Sequence, residues 1–98
     1  MLEKDIERRM GEMIRRRGGL YLKFVSPGNP GVPDRIVITR QGRVIFVELK
    51  TEIGRLANVQ KWQIRQLAEH GMDVWKVSGW EQAKAFVQEV FGDDIPAS

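Results

Sequence analysis

The sequence predicts an α/β fold: a mixed central β-sheet flanked by helices, with elements in the order α-β-β-β-α-β-α. Three observations carry that reading. Amphipathic stretches of helical period alternate with short apolar runs of strand character. Two of those runs, RIVIT and VIFVEL, flank Arg40-Gln41-Gly42-Arg43, which reads as a hairpin turn and pairs them antiparallel. The chain has 98 residues, which suits one domain and leaves no room for a second.

Residues 2–17 read as a helix whose apolar stripe is Leu2, Ile6, Met10, Met13 and Ile14. Arg8, Arg9 and Arg15 to Arg17 crowd its flanks and end, and Gly18-Gly19 stops it. LYLKFVS (20–26) reads as a strand with Leu20, Leu22 and Phe24 on one face. PGNPGVP (27–33) holds three of the four prolines and must be an irregular loop. Asp34 leads into the second strand. The unbroken apolar run of the third, VIFVEL, predicts burial on both faces and a central place in the sheet. After a loop at 51–57, Asn58 caps a helix through about His70, ended by Gly71. DVWKV (73–77) is a short strand. Ser78 with Glu81 then forms a capping box for a last helix with the stripe Trp80, Ala83, Val87, Val90 and Phe91. Residues 1–91 make up the domain, and 92–98 are expected to be a loose tail.

Composition narrows the function classes. There is no cysteine, which excludes disulfides and thiolate metal sites; a metal would be held by oxygen or by the single histidine, His70. His70, just before a helix-ending glycine, reads as a favourable C-terminal charge and not as a ligand. No apolar run reaches membrane-spanning length and no apolar signal segment is evident, so no membrane partner and a cytoplasmic location are expected. Residues 1–61 carry 13 Lys/Arg against 7 Asp/Glu, a net of +6, whereas residues 62–98 carry a net of −3. So basic a half suggests a polyanionic partner.

The chemistry gathers where the hairpin strands end. Residues two apart on a strand share a face, so Glu48 and Lys50 point together. The antiparallel pair sets the start of the 34–39 strand beside the end of the 43–50 strand, so Asp34 sits next to both. Two carboxylates at close range repel unless a proton or a cation lies between them. With only oxygen ligands on offer, the hard cations Mg²⁺ or Mn²⁺ are the natural occupants. Lys50 could activate a water and balance charge on a phosphate, which is hydrolytic phosphodiester chemistry. Gln60 shares a helical stripe with Ile64, Leu67 and Ala68, so it points inward at the same strand ends. Lys23, Arg35, Arg55 and Lys61 are candidate DNA-backbone contacts. Trp62, Trp75 and Trp80 occupy positions that suit packing better than base stacking.

Pro33-Asp34, with Glu48-x-Lys50 on the paired strand, resembles the PD-(D/E)xK nuclease signature and its restriction-endonuclease-like core. The preceding Gly31-Val32, the element order and Gln60 in RLANVQKW are more specific. Together they resemble the small, free-standing virus-type replication–repair nuclease (VRR-NUC) domain over about residues 1–88. The resemblance implies that Asp34 and Glu48 bind the metal with the Leu49 carbonyl, and that Lys50 activates water. It implies that Gln60 supports the site and that an acid on the first helix completes it. Glu3 lies about 50° from the centre of the apolar stripe and Glu7 about 90°, which favours Glu3.

The function expected is therefore that of a Mg²⁺- or Mn²⁺-dependent, structure-selective DNA endonuclease with no small-molecule cofactor. Its expected substrates are branched DNAs such as four-way junctions or flaps, in a bacterial or phage-infected cell. The alternative is a non-catalytic DNA-binding or scaffold module on the same fold, which usually would have lost the lysine or a carboxylate. A C₂ homodimer is expected, since a junction needs two symmetric cuts and a small core gains from association.

Overall fold

Helix α1 (Glu3–Arg16) buries Ile6, Met10 and Ile14, which recur at helical spacing, and leaves its arginines outside. The computed structural model describes residues 1–93. Leu2 was expected on the apolar stripe; instead it precedes the helix in an extended conformation and is exposed. The helix stops at Gly18, whose φ of 80° suits glycine, and the Gly19 N–H closes back on the Ile14 carbonyl at 3.0 Å.

Strand β1 (Leu20–Lys23) is shorter than the expected 20–26, because the chain leaves the sheet toward a turn closed by Asn29 N–H on the Ser26 carbonyl. Its buried residue is Tyr21; Leu20 and Leu22 lie on the opposite, half-exposed face. Strands β2 (Arg35–Ile38) and β3 (Val44–Lys50) form the expected hairpin, and helix α2 (Asn58–Glu69) carries the chain over to β4 (Asp73–Ser78), parallel to β3. The sheet order is β1-β2-β3-β4, antiparallel across the first three strands, with β3 central as its apolar run requires.

Alternation along β3 divides the molecule into two sides. Ile45, Val47 and Leu49 are fully buried in a core with Val37, Val77, the α1 stripe and Ala83, Phe86 and Val87 of α3 (Gly79–Phe91). Phe46, Glu48 and Lys50 face the other way, toward α2. Phe86 replaces Trp80 as the large fully buried residue of α3, packing edge-on to Trp75 at 5.2 Å.

Two caps differ from expectation. The Ser78–Glu81 box does not form: the Ser78 N–H donates to Gln82 Oε1 at 2.8 Å, while Glu81 pairs with Lys84. Helix α2 starts one residue earlier than an Asn58 cap would allow, with Ala57 at its N-cap. Gly92, assigned to the loose tail, is tied in through its carbonyl, which accepts from Arg17 Nε at 2.8 Å. The rest of that expected tail, residues 94–98, lies outside the described residues.

Tyr21 shows how closely α1 sits on the sheet. A Cβ at Gly11 would stand 2.8 Å from the Tyr21 ring, so glycine is what allows this approach. The guanidinium groups of Arg35 and Arg15 lie over that ring at 4.7 and 5.8 Å. Among the described residues no helix is long and apolar enough to cross a membrane.

Candidate active site

The site grows from the hairpin register. Arg35 pairs with Val47, so one further step places Asp34 opposite Glu48, with both side chains on the α2 face. Pro33 fixes the approach: it is fully buried, and its ring restricts the backbone immediately before Asp34. Asp34 Oδ1 accepts the Leu49 N–H at 3.3 Å, which ties the start of β2 to the end of β3. The loop before Pro33 is held on α2, where Gln63 Nε2 donates to the Pro30 carbonyl at 3.1 Å. Gly31, at φ 88°, passes within 2.9 Å of the Val59 backbone as measured from an added Cβ, leaving no room for a side chain.

Glu48 is only 4% exposed, an unusual setting for a carboxylate in so small a protein. Lys50 Nζ lies 3.5 Å from Glu48 Oε2 on the same face. Gln60 Nε2 donates to that same oxygen at 3.2 Å. The other end of the amide is also engaged, since Gln60 Oε1 accepts the Ala57 N–H at 2.8 Å. Ala57 has no side-chain acceptor, so Gln60 supplies only the reciprocal half of a capping box. The missing cap residue therefore has a partial substitute in Gln60, which joins the start of α2 to the buried carboxylate.

Electrostatics identify the third acid near the pair. Burial pushes the Glu48 carboxyl up to about 7, helped by the negative charge of Asp34, opposed by Lys50, and helped again by Glu3. Burial also raises Asp34; the Leu49 N–H opposes this, Glu3 adds to it and Lys50 opposes it. Glu3 thus acts on both carboxylates from the start of α1. Glu7, the rival candidate, pairs instead with Arg35. No three acidic or histidine side chains among the described residues stand close enough to hold an ion by themselves. His70 lies on the far end of α2, with Nδ1 2.6 Å from the Gln66 carbonyl.

The candidate DNA contacts separate into two groups. Lys23 and Arg35 are cross-strand partners whose side chains leave the sheet on the α1 face, away from Lys50, and Arg35 is engaged by Glu7 and Tyr21. Arg55 and Lys61 stand together and line a cleft of about 260 Å³ with Leu56 and Lys76. Lys76 is the residue that sequence reasoning missed. It is the parallel cross-strand partner of Glu48, which puts its amine on the same face as the carboxylates. The period-two pattern of DVWKV was visible, but its register against β3 was not. Trp75 and Trp80 pack against the core, whereas Trp62 is about half exposed.

A group whose folded value is raised contributes stability below its unfolded value and loses it as pH rises through the folded one. Glu48 therefore costs stability above about pH 7. In EDTA, Glu48→Gln should raise the thermal midpoint at pH 8 by several degrees, on the order of 1–2 kcal/mol. At pH 4 to 5 the gain should shrink toward zero. Thermal melts across that range check this, and a difference that stays constant with pH would contradict it.

Comparison with known proteins agrees with this architecture. The family described as the VRR-NUC domain matches residues 4–79. Over 48 residues the chain is 50% identical to "Putative nuclease p44" of Acyrthosiphon pisum secondary endosymbiont phage 1, a match spanning 49% of this chain and 52% of that relative. A solved VRR_NUC domain superposes with a TM-score of 0.84 at 26% identity, covering 91% of this chain and 97% of its own. A second, a VRR_NUC domain protein, gives 0.70 at 21% identity over 95% and 92% of the two chains and shares the fold.

Proposed function

The chain belongs to the VRR-NUC domain family of nucleases, and from that premise we propose that it is a metal-dependent endonuclease acting on branched DNA. One observation supports this reading above the others. The β2–β3 register brings Asp34 and Glu48 to one face with Lys50 beside them, and burial pushes both carboxyls above the usual carboxylate range.

The donor set suits Mg²⁺ or Mn²⁺. Two carboxylates, with the Leu49 carbonyl as a backbone donor, leave positions for water and phosphate oxygens, which is how Mg²⁺ is commonly held. Glu3 would add its charge from α1. The bound ion supplies charge neutralisation for the phosphate and lowers the pKa of a water. The chain's own groups do the rest. Gln60 fixes Glu48 through one amide nitrogen while its oxygen caps α2, so the carboxylate and the helix are aligned together. Lys50, whose amine lies 3.5 Å from Glu48, would orient the attacking water and balance negative charge at phosphorus. The water oxygen gives up a proton to solvent and bonds to phosphorus as one P–O ester bond breaks, and the departing sugar oxygen takes a proton from solvent. Arg55, Lys61 and Lys76 form a cationic cleft on the same side, suited to the neighbouring phosphates of the cut strand.

A homodimer fits the same reading. Leu20, Leu22 and Val44 are 54%, 44% and 42% exposed on the part of the sheet that α2 leaves open, an apolar face that a second copy would cover. Sedimentation at micromolar concentration should find twice the 11.3 kDa chain mass; a monomer that still cuts junctions symmetrically would contradict the dimer.

Cleavage of labelled flap and four-way substrates tests the chemistry. Activity should require Mg²⁺ or Mn²⁺ and fall at least about a hundredfold in Asp34→Asn, Glu48→Gln and Lys50→Ala, with folding intact. Glu3→Gln should raise the Mg²⁺ concentration needed for half-maximal cutting, and Glu7→Gln should not. Undiminished cutting by Glu48→Gln would end the mechanism, and a reversed order of the two helix variants would transfer the third acid to Glu7.

A further inference from the structure

A second cationic surface lies on the opposite side of the sheet from Lys50, between α1 and α3. It is a groove of about 420 Å³ lined by Arg8, Arg9, Glu12, Arg16, Trp80 and Lys84. Its centre is Trp80, with the Arg9 guanidinium 5.8 Å and the Lys84 amine 5.7 Å from the ring. Arg8, Arg9 and Lys84 give the lining its positive charge, against the carboxylate of Glu12. The ion pairs Arg8–Glu12 and Lys84–Glu81, each 3.0 Å long, are exposed and so hold their cations only weakly. A cluster of this kind, with an indole at its centre, suits sugar-phosphate backbone better than any neutral ligand.

Its position gives it a role. Helix α3 begins directly after Ser78, the cross-strand partner of Lys50, and α1 begins with Glu3, whose charge is felt by both catalytic carboxylates. Both helices thus start at the active end and the groove leads away from it. The Arg55–Lys61–Lys76 cleft leaves the same end on the other face of the sheet. A straight duplex lies along one face or the other. Occupying both requires DNA that bends sharply round the end of the sheet, at an elastic cost, or DNA that forks there.

We propose that the α1–α3 groove holds the backbone of a second DNA arm, so that the enzyme recognises a branch by gripping its two arms on opposite faces of one sheet. This rests on the nuclease reading above and adds the surface that would make it structure-selective.

Fluorescence anisotropy in EDTA, with a labelled three-way junction and a linear duplex of equal length, tests it. The variant is Arg9→Gln combined with Lys84→Gln, two changes outside the catalytic group. Affinity for the junction should fall about tenfold and the slope of log affinity against log salt should drop by about 2, as two phosphate contacts are lost. Linear DNA should change less than about twofold. Arg9→Lys with Lys84→Arg should keep the preference, and Arg8→Gln alone, at an exposed position, should show the same selective loss at smaller size. Unchanged junction binding, or an equal loss on both DNAs, overturns the proposal, as does a loss of preference in the charge-conserving pair. Wild-type protein that binds neither DNA overturns the groove and the nuclease reading together. Retained binding by the double variant with an unchanged junction preference overturns the groove alone.

Discussion

The register between β2 and β3 is the constraint on which the rest of this protein depends. The turn sets it: Thr39 N–H donates to the Arg43 carbonyl, Thr39 Oγ1 accepts the Arg43 N–H, and Gly42 N–H closes on the Thr39 carbonyl, all near 3 Å. A slip of one residue would swing Ile45, Val47 and Leu49 out of the core and drive Glu48 and Lys50 against Ile6 and Met10. That exchange of apolar side chains for charges costs far more than a domain of this size can lose. The same alternation that builds the core therefore fixes the carboxylate, its lysine and Asp34 on the opposite face. Arg43 then extends the constraint to the next strand, gripping Asp73 through two nitrogens at 2.9 and 2.7 Å and setting where β4 starts beside β3.

The proposed site opposes stability at this point. Glu48 is buried next to Asp34, under the influence of Glu3, with one amine and one amide to compensate. An isolated charge in that position would be expelled or neutralised, and its upward shift is the sign of that pressure. The surrounding structure holds it in place: buried Pro33 behind Asp34, the Leu49 N–H in front of it, and Gln60 bridging Glu48 to the first turn of α2. Helix α2 contributes no fully buried residue of its own, so its link to the sheet through Gln60 matters more than its modest apolar face suggests.

Much of this was legible in the sequence, for local reasons. The order of seven elements followed from periodicity and from glycine and proline punctuation. The central place of β3 followed from an unbroken apolar run, and the meeting of Asp34 with Glu48 and Lys50 followed from a recognisable hairpin turn. What escaped depended on contacts distant in sequence. Tyr21, not its leucine neighbours, is the buried residue of β1, because both faces of that short strand are apolar and only the close approach of Gly11 decides between them. Lys76 was missed because parallel register is not fixed by a turn; here Trp75 and Val77 pack into the core opposite Val47 and Leu49, which leaves Lys76 on the other face beside Glu48. The α1–α3 groove has no local signature, since its cations come from elements about 70 residues apart. The caps of α2 and α3 escaped for a local reason: Gln60 accepts the Ala57 N–H and Gln82 the Ser78 N–H, in place of an Asn58 cap and of the Ser78–Glu81 box.

The central claim is that Asp34 and Glu48 form one cation site whose mutual repulsion the ion relieves. Thermal unfolding at pH 8, with and without millimolar Mn²⁺ and with no DNA present, tests it most directly. The account predicts that Mn²⁺ raises the midpoint of the wild-type chain by several degrees and leaves Asp34→Asn and Glu48→Gln unmoved, since only the intact pair binds the ion in the folded state. An equal shift in all three proteins, or none in the wild type, would contradict it.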